Sequence, residues 1–249
     1  MNTKLNFSGP ELCGLEAHQV VAMLKAGDVS SAELLDAATQ RISKTGPVIN
    51  ATPTLCEARA RGAVLNPCEM DHAGWLAGLP ISIKDLNAVA GVLTTYGTKG
   101  LADFIPEDSD PLVEQLEARG GVVLGKTNTP EFGAGGNTFN DVFGRTLNPW
   151  DTSLNAGGSS GGAAASLATG EIWLSHGSDH GGSLRTPAAY CGVVGLRPSP
   201  GIAGGPGKDN AFMIEGVQGP MARSVTDCAL FLDAMSGFDP RLPISYPGP

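Results

Sequence analysis

Apolar positions recur along this chain in two rhythms, one near 3.6 residues and one near 2, and their alternation sketches an architecture. Over residues 11–26 and again over 31–43 the apolar residues fall at helical spacing, as in Leu34, Leu35, Ala38 and Ile42, with Ser30 or Ser31 as the cap of the second run. Residues 57–64 continue as a short helix and 66–74 as a loop. The period then shortens: LPISIKD is a brief β-prone run ending at Lys84 and Asp85, and its pleat sends these two side chains to opposite faces. After the turn-rich TTYGTKG, DSDPLVEQLEARGG predicts a helix with Asp110 as N-cap, Pro111 at the first helical position and Gly120 at its close. GVVLG follows as a buried strand. GGSSGGAAASLATG is a glycine turn opening an alanine-rich helix, EIWLS a strand, and SVTDCALFLDAMSG a helix with an S-x-x-D box from Ser224 and Asp227 and a stop at Gly237.

Helix followed by apolar strand, repeated, is the rhythm of an α/β fold: a mixed, largely parallel central sheet flanked by helices. Residues 1–249 are expected to form one domain, with a helical segment over 1–45, a core over 78–237 and a tail, FDPRLPISYPGP, over 238–249. A chain of 249 residues with 41% hydrophobic and 16% charged residues has the composition of a globular protein.

Charge narrows the partners. The formal net charge is −9 and no run of Lys or Arg is present to neutralise phosphates, which argues against nucleic-acid binding. No apolar stretch approaches the length of a membrane span, and MNTKLNFSGPELCG lacks the apolar centre of a secretory signal, so a cytoplasmic location is expected, without membrane association. Cys13, Cys56, Cys68, Cys191 and Cys228 are odd in number, irregularly spaced and without a C-x-x-C pair, the pattern of reduced and mostly buried thiols.

Three motifs suggest chemistry that their context does not support. GGVVLGKT matches a phosphate-binding loop in letters, but Val122, Val123 and Leu124 are themselves strand-like, where a phosphate cradle needs an open loop before a helix. His176, Asp179 and His180 have side chains that ligate zinc, yet no helix places them on one face, and no metal is expected. Gly157 to Gly161 spell G-x-S-x-G around Ser159, but the acid and histidine of that hydrolase type follow the serine at a distance, and the last histidine here is His180. A serine in this chain therefore calls for another base. A lysine kept neutral by desolvation can serve, and Lys84, at the end of the apolar ISIK, is the candidate.

LAGLPISIKDLNAVAGVLTTYGT, VVLGKTNTPEFG, AGGSSGGAAASLATG and GSDHGGSLRTPAAYCGVVGLRPS, in this order, resemble the amidase signature family of serine hydrolases over residues from about 30 to 237. The resemblance implies a Ser-Ser-Lys triad of Lys84, Ser159 and Ser183, a cis peptide bond between Gly158 and Ser159, and no cofactor. It implies an amidohydrolase that cleaves a carboxylic amide C–N bond through an acyl-enzyme on Ser183, with Lys84 and Ser159 as proton relay. The N–H groups of His180, Gly181, Gly182 and Ser183 would bind the oxyanion; Asp179 and Arg185 would form a buried structural ion pair, with Ser160 bonding locally. Position 180 is commonly threonine or a small or aliphatic residue in the family; histidine keeps the backbone donor and either narrows the pocket or adds a titrating group. Family members continue well beyond residue 249, so the expected fold is the amidase signature fold with its C-terminal part missing. Two other functions fit the resemblance: a catalytically silent amidase-derived fragment, or an amidotransferase A-type subunit releasing ammonia from glutamine. The expected partners are a small-molecule amide substrate and either a second copy of the chain or a partner subunit.

Overall fold

The structure, a computed structural model, describes residues 10–63, 72–204 and 212–246. Residues 66–71 of the expected 66–74 loop, Val64, Cys68, the first nine residues and the last three of the tail lie outside the described residues. The chain forms α1 (Glu11–Gly14), α2 (Ala17–Ala26), α3 (Ser31–Ile49), β1 (Thr54–Leu55), α4 (Glu57–Ala63), β2 (Pro80–Lys84), α5 (Pro111–Ala118), β3 (Val122–Thr127), β4 (Phe139–Asn140), β5 (Gly144–Arg145), α6 (Gly161–Ala168), β6 (Leu174–Asp179), α7 (Arg185–Cys191), β7 (Val194–Gly195), β8 (Val217–Ala222) and α8 (Val225–Met235). Among the described residues no helix is long and apolar enough to cross a membrane.

Six strands make one mixed sheet in the order β1-β3-β2-β6-β8-β7. Its centre is parallel, with β2 between β3 and β6; both margins are antiparallel, β1 on β3 at one side and β8 and β7 at the other. The central strands are buried on both faces, which is why VVL is a continuous apolar run and why Ser82, between Ile81 and Ile83, bonds Ser175 Oγ inside the sheet. The chain leaves β2 through α5 to reach β3 on one side, and leaves β3 through α6 to reach β6 on the other. In such sheets ligands settle outside the carboxyl ends of the strands, where the order reverses. Lys84, Thr127 and Asp179 are the residues at those ends.

The sequence cues for helix starts match the structure in part. Ser30 caps α3, with Glu33 reaching back to the Ser30 N–H. Pro111 opens α5 after Asp110, although the Asp110 carboxylate accepts from Asn87 Nδ2 and the Ala88 N–H instead of capping its own helix. Ser224 caps α8 by accepting the Asp227 N–H. The single helix predicted over 11–26 is two, because Glu16 starts a new capping box with Gln19 and the Asp227 carboxylate accepts the Ala17 and His18 N–H groups at 2.8 and 2.9 Å. Helix α3 runs on to Ile49 through Pro47, whose missing N–H costs one bond in the final turn, and Asn50 in the left-handed region closes it.

Two strands differ from the sequence expectation. EIWLS predicts a strand over 171–175, but Glu171 turns inward to Thr45 and Thr52, and β6 occupies Leu174–Asp179, including the polar HGSD. β8, VQGPMA, carries a Gly-Pro pair that masks its strand character in sequence; as the antiparallel partner of β6 it sets Pro220 opposite His176.

Candidate active site

The turn carrying Ser159 is shaped by close packing. A Cβ on Gly158 would lie 2.8 Å from the Asn137 nitrogen, and one on Gly162 would lie 2.4 Å from the Asn128 nitrogen, so glycine alone lets the turn and the start of α6 sit against the neighbouring loop and the end of β3. Thr138 Oγ1 donates to the Gly157 carbonyl and accepts the Gly161 N–H, tying both sides of the turn. The Gly158–Ser159 peptide bond is cis.

Into this turn points Lys84. Its side chain is fully buried, and its Nζ lies 2.6 Å from Ser159 Oγ, 2.8 Å from Ser160 Oγ and 3.0 Å from Ser178 Oγ. Burial pushes the Lys84 ammonium down to about 7, with the Asp179 carboxylate opposing that shift. Ser160 is no local bonder: besides facing Nζ, its hydroxyl donates to the Ser178 carbonyl and accepts the Ser178 N–H. Ser178 lies in the GSDHGGSLR stretch, but its nearness to Lys84 follows only from the pairing of β6 beside β2.

Ser183 is half-buried and joins the cluster through its backbone, its carbonyl accepting the Ser160 N–H at 3.2 Å. The loop before it is held by Asp179, whose carboxylate accepts the Gly182 N–H at 2.7 Å and the Leu184 N–H at 3.1 Å. Burial pushes this carboxyl up, but the hydrogen bonds from Arg185, Gly182 and Leu184 outweigh it and hold the group well below the usual carboxylate range. The Asp179–Arg185 pair is buried on one side only: Asp179 is inaccessible, whereas the Arg185 side chain is 57% exposed. Arg197, at 24%, is the more enclosed partner, and its guanidinium also donates to the Asp179 carbonyl.

Beside the cluster opens a cavity of about 660 Å³, lined by the rings of Tyr96, Phe104 and Phe132 together with polar Ser178, His180 and Gln218. The His180 side chain is exposed at this wall. His176 is buried and bonded within the sheet, so His176, Asp179 and His180 do not converge; among the described residues only Glu16, His18 and Asp227 bring metal-capable atoms together. Within GGVVLGKT, residues 122–127 are β3, and Lys126 is buried with its Nζ 2.9 Å from Asp85 Oδ1. The described cysteines are free; Cys13, Cys191 and Cys228 are buried, and burial pushes the Cys191 thiol up to about 12.

A family model described as Amidase matches residues 33–249. The chain belongs to the amidase signature family. It is 41% identical over 248 residues to a glutamyl-tRNA(Gln) amidotransferase subunit of Chloroflexus aurantiacus, a match covering 95% of this chain and 50% of that one. Among solved structures it is similar to a bacterial aryl acylamidase of the amidase signature family, with a TM-score of 0.87 and 32% identity over 94% of this chain and 50% of the other. It is also similar to a 6-aminohexanoate cyclic dimer hydrolase complexed with substrate, with a TM-score of 0.84 and 33% identity over 94% and 48% of the two chains. The chain thus spans about half the length of these family members.

Proposed function

We propose that this chain carries the acyl-transfer machinery of an amide hydrolase, with Lys84 as base, Ser159 as proton bridge and Ser183 as nucleophile. The observation that carries the reading is the buried Lys84 Nζ at 2.6 Å from Ser159 Oγ, in surroundings that bring the lysine to about 7. Neutral Lys84 takes the Ser159 proton as Ser159 takes that of Ser183, and Ser183 Oγ bonds to the amide carbonyl carbon. The carbonyl electron pair moves to oxygen, where the N–H groups of His180, Gly181 and Ser183 stabilise it; one such donor is worth roughly 3 kcal/mol in a transition state. The Gly182 N–H instead holds the loop through Asp179. As the C–N bond breaks, the relay returns the proton to the leaving amine, and water then releases the acid by the same path. No step calls on a metal or an organic cofactor. The substrate is a small carboxylic amide bound in the cavity beside Ser178.

The test is covalent labelling by a fluorophosphonate. Labelling of the wild type and its loss in Ser183→Ala support the reading; labelling that persists in Ser183→Ala overturns the nucleophile assignment, and an inert wild type favours a silent fragment. The identity to amidotransferase subunits supports a second reading, a glutamine-hydrolysing subunit that works with partner chains. Release of ammonia from glutamine only when partner subunits co-purify would establish that alternative.

A further inference from the structure

The chemistry above leaves one buried imidazole unused. His176 lies in β6 next to β2, fully enclosed, and the pairing of these two parallel strands reaches only Ser82 opposite Ser175. Even-numbered residues of β2 turn their backbone groups toward β6 and odd-numbered ones toward β3, as the Asp85 N–H donating to the Thr127 carbonyl shows. The next N–H facing β6 belongs to Lys84. It meets no β6 carbonyl: it donates to His176 Nδ1 at 3.3 Å, a side chain standing in for the ladder. The other ring nitrogen, Nε2, lies 2.6 Å from Gln218 Oε1, on β8 and in the cavity wall. A ring that accepts at Nδ1 and donates at Nε2 is one neutral tautomer, and an amide oxygen that can only accept selects it.

We propose that His176 is a positioning residue for Lys84, its Nδ1 holding the end of β2 where the strand pairing stops and Gln218 fixing the tautomer that makes this possible. The inference rests on the reading of Lys84 as the base. Burial outweighs the opposing hydrogen bond with Gln218 and keeps the imidazole neutral, pushed down to about 3. A protonated ring would turn an N–H toward the Lys84 N–H and break the clamp. With the clamp in place, the Lys84 backbone is held at a buried strand end, and its four-carbon stem delivers Nζ to the serines. Through Gln218, the wall that a substrate touches is connected to the backbone of the base by two hydrogen bonds.

Two measurements test this. Imidazole ¹⁵N spectra of the wild-type chain are expected to show His176 as a single neutral tautomer protonated on Nε2; a proton on Nδ1 overturns the proposal, whatever the catalytic activity. The rate of fluorophosphonate capture supplies the second. His176→Leu and Gln218→Leu are expected to slow it about tenfold, the loss that follows from a buried donor left unmade. His176→Asn, whose Oδ1 can take the place of Nδ1, is expected to stay within about threefold of wild type. Leucine variants that fold and label as fast as wild type overturn the clamp. Should His176→Leu fail to fold, Gln218→Leu against His176→Asn makes the same comparison. A wild type that does not label sinks the hydrolase reading instead, and the tautomer spectrum still decides the clamp.

Discussion

A lysine ammonium surrounded by three hydroxyls and buried from water has lost most of its hydration, and the fall of Lys84 to about 7 follows from that loss. Fluorophosphonate labelling measured across pH is therefore expected to rise as pH increases through about 7 and then to level off, because only the unprotonated amine can draw a proton. A rate flat across that range would remove Lys84 as the base. The same shift has a stability counterpart. Between about 7 and 10.5 the unfolded chain holds a proton on this lysine that the folded chain has released, so folding becomes more favourable as pH rises through that window. Comparing denaturant midpoints at the two ends should show this gain in the wild type and its loss in Lys84→Met, which is also expected not to label. At this scale the meeting of Lys84 with Ser159 could be expected from the long motifs that carry them. Ser178 and Arg197 lie in one of the same motifs, but no local pattern names what their side chains meet, and Gln218 lies outside all of them.

Elements hold the site through a few tight junctions. The first turn of α6 lies so close to the end of β3 that the missing Cβ of Gly162 is a packing requirement. Gly162→Ala is expected to destabilise the fold by about 1 to 3 kcal/mol, the range for overpacking, and to slow labelling by displacing Ser159 and Ser160; urea denaturation and labelling rate measure the two effects. Asp227 ties elements distant in sequence: on α8, it accepts two N–H groups at the start of α2 and faces His18 Nδ1 at 2.7 Å. Asp227→Ala should cost about 1 to 2 kcal/mol in urea denaturation, as lost N-caps do, while leaving the labelling rate of the folded protein unchanged. Local cues were readable in part: a serine at 30 or 31 as the cap of α3, Pro111 at the first position of α5, and Ser224 with Asp227 at the start of α8. The side chain of Asp227 was misjudged for a physical reason. The sequence pairs it with its own helix, whereas the fold offers it two unpaired donors on another. β8 was missed because Gly219 and Pro220 break the β-prone pattern while antiparallel pairing with β6 still forms around them.

Across the whole molecule, the parallel centre of the sheet was legible from the helix–strand rhythm, whereas its antiparallel margins come from strands too short or too glycine-rich to announce themselves. What binds the two sides of the β2 end together is also non-local: Lys84 faces the serines, while Asp85, on the opposite face, accepts from buried Lys126 and from Thr95 in the loop that carries Tyr96 to the cavity. Lys126→Met leaves that carboxylate buried without its cation and is expected to cost about 3 kcal/mol or more in urea denaturation, with part of the loss recovered in the double variant carrying Asp85→Asn. The Lys84 cluster itself joins three separate stretches of chain at one nitrogen, and counting its protons shows what that arrangement does. A neutral amine has two N–H groups and one lone pair. Ser160 spends its own proton on the Ser178 carbonyl, so it can only accept from Nζ. If Ser178 accepts as well, the lone pair is left for Ser159, the nearest hydroxyl at 2.6 Å. After transfer the ammonium has three N–H groups for the same three oxygens. Every heavy atom can stay where it is in both states, so the proton transfer proposed for this site would need no rearrangement of the atoms around Nζ.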